Sequence, residues 1–146
     1  MPLDPNVILS KSLSPTTDDD KAEMAQIPYL TTVGSIMYAA SGTRIDVAFA
    51  VQHLSQFSSN PGHAHWTAAQ RVIRYLYTTR DHALVLGGSG DITLRGFTDS
   101  DWGADVDHRR SISSYVFSLG RGAISWSSKK QEIGRASCRE RVFNWV

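Results

Sequence analysis

An α+β fold, helical in its first half and antiparallel in its second, is what the sequence predicts. Three observations carry that reading. Apolar residues recur at helical spacing between residues 28 and 79. After about residue 82 the period shortens to alternation, and turn signals separate the runs. Helical and extended segments are segregated rather than interleaved as βαβ units. The length of 146 residues leaves room for one modest core. Hydrophobic residues at 41% and charged ones at 20% fit a soluble globular chain. A net charge of +1 argues against a strongly basic nucleic-acid binder. No apolar run approaches the roughly 20 residues of a membrane span, and the Met1 end does not read as a signal peptide. The single cysteine, Cys138, excludes an internal disulfide and a multi-thiolate zinc site, and is compatible with a reducing, intracellular compartment.

Residues 1–26 carry Pro2, Pro5 and Pro15, no sustained period and the acidic run Asp18–Asp20, so they read as an extended leader, draped over the rest or solvated. From Pro28, the residues Leu30, Val33, Ile36, Met37 and Ala40 predict a helix that Ser41-Gly42 stops. Thr43 is placed to cap a second helix with a buried stripe of Val47, Val51 and Leu54, beside Phe49, Ala50 and Phe57. Residues 58–62 are a loop, and a third helix runs from about His63 to Thr79. Its Trp66, Ala69, Val72, Ile73 and Leu76 point inward, with Arg71 and Arg74 on or near the flank. Ala83–Leu86 is a short apolar run, Gly87–Gly90 a turn, and Ile92–Thr98 a strand. Tyr115–Leu119 and Ala123–Ser127, joined by Gly120-Arg121-Gly122, form a hairpin.

The segment richest in chemistry is Phe97-Thr98-Asp99-Ser100-Asp101-Trp102-Gly103-Ala104-Asp105-Val106-Asp107. Carboxylates at a strand end can hold hard divalent cations, and two such ions can drive phosphodiester cleavage. Asp99 and Asp101 share a face only if the strand runs through both. A solvated acidic loop, capped by Arg109 and Arg110, explains the same residues. A calcium loop of the EF-hand kind does not: Ala104 stands where glycine is needed and Arg110 where a bidentate glutamate is needed. His63 and His65 diverge at a helix start and take surface or capping roles, while His53, His82 and His108 are isolated. Gly87–Gly90 is no phosphate cradle, no nucleophile elbow surrounds Ser125, Ser127 or Ser128, and Cys138 has no patterned base.

Longer strings carry a resemblance. Pro28-Tyr29 with Val33-Gly34-Ser35-Ile36-Met37-Tyr38, then Arg44–Val51, then His65-Trp66-x-Ala68-Ala69-x-Arg71-Val72-x-Arg74-Tyr75-Leu76 are similar to the Pol polyprotein of copia-type LTR retrotransposons. The stretch resembles the thumb and connection that follow the polymerase palm. Gly96–Trp102, Arg110-Ser111, Ser114–Phe117 and Ala123–Gln131 resemble the opening of that family's ribonuclease H domain. The resemblance covers about residues 1–131. It departs from the family at Ile45 for proline, at Ser114 for glycine, and in the order of Gly103-Ala104.

The resemblance implies a parent protein that performs RNA-templated DNA synthesis and removes the RNA strand of RNA–DNA hybrids with Mg²⁺. It divides the chain into a leader (1–26), a thumb- and connection-like helical region (27–82), a partial ribonuclease-H-like domain (83–131) and a tail (132–146). The family's first metal-binding carboxylate falls on Asp99, with Asp101 beside it as part of an incomplete metal site. The family's Ser-Ser-x-Glu-Ala-Glu-Tyr segment, with its second acidic residue, is absent after Gln131, and Glu132–Phe143 resembles the in-frame translation of a sequencing-library adapter. The expectation is therefore a truncated Pol fragment with a non-native tail, binding Mg²⁺ poorly or not at all and catalytically inactive. Arg71, Arg74, Lys129 and Lys130 are the expected contacts to an RNA–DNA hybrid or primer–template duplex, alongside the rest of Pol. No membrane or small-molecule cofactor is expected, and the location is cytoplasmic, within a virus-like particle, or nuclear, not secreted. The alternative is a non-catalytic hybrid-binding or domesticated scaffold module. Residues 83–131 alone approach the size at which a core becomes marginal, so partial order is expected there.

Overall fold

The computed structural model describes residues 1–87, 92–101, 107 and 110–131. The turn residues 88–90, Asp105, His108, Arg109 and the tail 132–146 with Cys138 lie outside the described residues. The architecture is α+β as the sequence predicts: four helices, α1 (Asp18–Ala25), α2 (Tyr29–Gly42), α3 (Ala48–Ser55) and α4 (His63–Thr78), then a three-stranded antiparallel sheet.

The leader departs from the extended reading. It contains a 3-10 turn at Lys11–Leu13 and the whole of α1. The acidic run is the reason: Asp18, Asp19 and Asp20 occupy the first turn of α1, where carboxylates oppose the positive end of the helix dipole. The Thr17 hydroxyl oxygen accepts from the Asp20 amide at 3.3 Å and caps the helix. The leader also lies against the helices, since Leu9 is buried in the core.

In α2 the buried stripe is Tyr29, Val33, Ile36 and Ala40, so Leu30 and Met37, which the spacing also pointed inward, are exposed. Thr43 does not cap α3; it closes α2, its amide donating to the Ala39 carbonyl. A 3-10 turn, Ile45–Val47, leads into α3. Arg44 holds this corner, its guanidinium donating to Asp46 at 2.7 Å and to the Thr79 carbonyl, past the end of α4, at 3.2 Å. In α4, Ala69 and Val72 are fully buried while Ile73 is exposed. Leu9, α2, α3 and α4 close around Val47, Leu54, Phe57 and Val72, and the buried Tyr29 hydroxyl donates to the Leu54 carbonyl at 2.8 Å.

The sheet has the order β1 (Leu94–Asp101), β2 (Ile112–Leu119), β3 (Gly122–Lys130). The predicted hairpin forms: Leu119 pairs with Gly122 across a turn in which Gly120 takes φ +60°. That left-handed conformation suits glycine. The first strand starts later than predicted and reaches Asp101, and Ala83–Leu86 forms no strand. Among the described residues, β3 is the strand that docks on the helices. Trp126 Nε1 donates to the Ala40 carbonyl at 2.9 Å, and Lys130 Nζ donates to Gln56 Oε1 at 3.2 Å.

Candidate functional site

The acidic strand comes first. Because β1 runs through both Asp99 and Asp101, the condition for the two to alternate onto one face is met by the backbone. Asp99 pairs with Ser114, whose hydroxyl donates to the Asp99 carbonyl at 3.4 Å, and Asp101 pairs with Ile112. The Asp99 side chain is exposed. Asp107 is turned elsewhere, accepting from the Lys11 amide at 2.9 Å. Among the described residues no group of three or more His, Cys, Asp or Glu side chains could hold a metal ion. A pair of divalent ions needs several negative oxygen ligands to offset its own repulsion. Asp99, with Asp101 further along β1, falls short of such a set among the described residues.

The basic residues do not converge. Arg71 and Arg74 line a cleft of about 770 Å³ between the leader, α3 and α4. Lys129 lines a different, smaller cleft of about 390 Å³ between α2, α3 and β3. Arg71 donates to Asp4 Oδ2 at 2.8 Å, so part of its charge is answered within the chain. A hydrogen bond from the Asn6 amide, with the neighbouring Arg71 charge, holds the Asp4 carboxyl below its ordinary range. Lys130 is turned toward α3 by Gln56, which leaves Arg74 and Lys129 as exposed cations on separate surfaces. Sequence reading missed Asp4 as the partner of Arg71, because 67 residues separate them and no local period links them.

His65 is the buried polar residue that the sequence placed in a surface or capping role. Capping holds and surface exposure does not. Its Nδ1 accepts from the Gly62 amide at 2.8 Å, its Nε2 bonds the Ser10 carbonyl at 3.1 Å, and its ring stacks on Phe57 at 4.0 Å. Burial pushes its pKa down, so the neutral ring fits the site, Nε2–H donating and Nδ1 accepting. The leader is thereby fixed to the start of α4. Gly62 is required there, since a Cβ would collide with the Leu13 carbonyl.

No protein-family model matches the chain, and no solved structure matches it. Curated relatives do. The chain is 45% identical over 142 residues to the retrovirus-related Pol polyprotein from transposon TNT 1-94 of Nicotiana tabacum, which covers 97% of this chain and 11% of that protein. It is 43% identical over 104 residues to the corresponding polyprotein from transposon RE2 of Arabidopsis thaliana, covering 71% of this chain and 7% of the relative. It is also 47% identical over 117 residues to the secreted RxLR effector protein 161 of Plasmopara viticola, covering 80% of this chain and 82% of the effector. The match to the tobacco polyprotein takes in 142 of the 146 residues and so extends into the tail. The chain spans about a tenth or less of the Pol polyproteins it matches. The alternative of a stand-alone hybrid-binding or domesticated scaffold module is not favoured, because the matched stretches lie inside Pol polyproteins. No helix among the described residues is long and apolar enough to cross a membrane. The chain belongs to the family of retrovirus-related Pol polyproteins of copia-type retrotransposons, as a fragment of Pol.

Proposed function

We propose that this chain is the stretch of Pol that joins the reverse transcriptase to the ribonuclease H, and that it supports the RNA–DNA hybrid without cutting it. In the full polyprotein the joined activities would be RNA-templated DNA synthesis and cleavage of the RNA strand. The observation that carries the reading is Asp99: an exposed carboxylate on β1 with no metal-binding cluster around it among the described residues. Asp99 would supply one ligand of a complete magnesium site, and acidic residues elsewhere in Pol would supply the others. Arg74 and Lys129, exposed on separate faces, suit contacts to a long duplex backbone better than a compact binding pocket. The rest of Pol is the working partner, in the cytoplasm or nucleus.

The test is cleavage of a labelled RNA–DNA hybrid by the purified chain with Mg²⁺ or Mn²⁺. The expected result is no turnover above that of Asp99→Asn; turnover that this substitution abolishes would overturn the reading. Binding of the same hybrid should weaken steeply with salt, and Arg74→Ala or Lys129→Ala should each reduce the salt slope by about 1. Absence of hybrid binding at low salt would remove the proposed support role.

A further inference from the structure

We propose that one peptide unit of the leader, between Ser10 and Lys11, relays the state of His65 at the start of α4 to Asp107 beyond β1. The proposal is independent of the function proposed above. The Ser10 carbonyl accepts from His65 Nε2 at 3.1 Å, and the Lys11 amide donates to Asp107 Oδ2 at 2.9 Å. These are the two ends of one planar group, whose carbonyl and N–H turn together or not at all. His65 Nδ1 accepts from the Gly62 amide at 2.8 Å, which extends the chain by one link. Hydrogen bonds thus run head to tail from the Gly62 N–H, through the ring and the peptide, to a carboxylate. Each bond polarises the next, and a negative charge at the accepting end suits that direction.

The peptide is pinned on both sides. Leu9, just before it, is buried in the helical core, and the Leu13 carbonyl lies where Gly62 leaves no room for a Cβ. Lys11 opens a 3-10 turn that offers its amide no carbonyl, so the acceptor comes from 96 residues away. Phe57 stacks on the His65 ring at 4.0 Å and keeps it from swinging aside. Burial most strongly, and His53 of α3, disfavour a charge on that ring, while the Ser10 carbonyl and Asp107 favour it. His63, two residues before it on α4, faces Glu23 of α1 at 3.6 Å instead. A proton added at Nδ1 would meet the Gly62 N–H and break the first link. The hold on Asp107 therefore responds to acid, and His65 responds to the charge of Asp107, because coupling between two sites is reciprocal. Asp107 is exposed, so water screens its charge and keeps the coupling at the low end of its usual range.

NMR on the full chain is the test, reading the His65 ring and the exchange of the Gly62 amide at the far end of the relay from Asp107. The native ring should be the Nε2–H tautomer, with a slowly exchanging Gly62 amide. Asp107→Ala removes the last acceptor from an exposed position and should quicken Gly62 exchange about fivefold. Asp107→Asn keeps an acceptor without the charge, so Gly62 should stay protected while the His65 titration moves to lower pH. Lys11→Pro keeps the charge and removes the donated hydrogen, and should match Asp107→Ala in Gly62 exchange. The extended Ser10 and the first position of a 3-10 turn both accept that proline. Should Lys11→Pro lose its fold, the two Asp107 variants decide the matter alone. Gly62 exchange unchanged in Asp107→Ala, or a His65 titration identical in Asp107→Asn and the unaltered chain, overturns the relay. So does an Nδ1–H tautomer, or a folded Lys11→Pro chain with Gly62 exchange unchanged.

Discussion

The helical layer and the sheet are stabilised very differently. Eleven buried residues of the helical region and Leu9 of the leader form one cluster around Val47, Leu54 and Val72. Among the described residues of the sheet, Ile112 is the one buried apolar side chain outside that cluster, and Phe97, Leu94 and Ile124 remain half or more exposed. Burial of apolar area is the main stabilising contribution to folding. The helices therefore carry the fold, and the sheet is held to them by Trp126 and Lys130. The helical layer has a core of its own, whereas the strand bearing Asp99 is exposed along residues 94–100.

Removing part of the helical core should have the largest effect. Leu54→Ala, at a fully buried position, should cost about 2–5 kcal/mol and lower the urea midpoint of the whole molecule. If the sheet signal survived that loss, the dependence of the sheet on the helices would be broken. Gly62→Ala should cost on the order of 1–3 kcal/mol, because the new Cβ meets the Leu13 backbone rather than a side chain that can move. Its thermal unfolding should show the leader detaching together with the His65 contact.

Trp126→Phe tests the tether. Losing the 2.9 Å bond to the Ala40 carbonyl should cost about 1 kcal/mol. Amide exchange should quicken in β3 more than in α2 or α3, and equal quickening in both would contradict the comparison. His65 gives a smaller, pH-dependent effect. Its pKa is depressed in the folded chain, so an unfolded chain with the ordinary value of 6.5 takes up the proton first as pH falls. The stabilisation is full above about pH 6.5 and is lost as pH falls from there through the folded value. His65→Gln should flatten that part of the stability profile, measured by urea unfolding at pH 5 to 8. Arg71→Ala should have the smallest effect, since the pair with Asp4 is partly exposed and salt should erase what difference there is.

The sequence carried more of the fold than of the site. The spacing in α2 and α4 and the turn between β2 and β3 are local signals, and local physics realised them. Helix α1 escaped a search for apolar periodicity because it buries only Met24 and rests on its cap and dipole instead; Thr17 followed by three aspartates was its available signal. Leu9 and the Asp4–Arg71 pair had no such signal, being contacts of an irregular leader with residues far along the chain. Asp99 was legible as a carboxylate on a strand, but its surroundings were not, because the company a carboxylate keeps is set by how distant segments fold together.

Residue-resolved hydrogen exchange tests the contrast between the two layers most directly. The buried amides of α2, α3 and α4 should exchange slowest and as one unit, with β1 the fastest strand and β3 intermediate. Strand amides protected as strongly as those around Leu54 would mean that the sheet has a stability of its own, and would contradict the account.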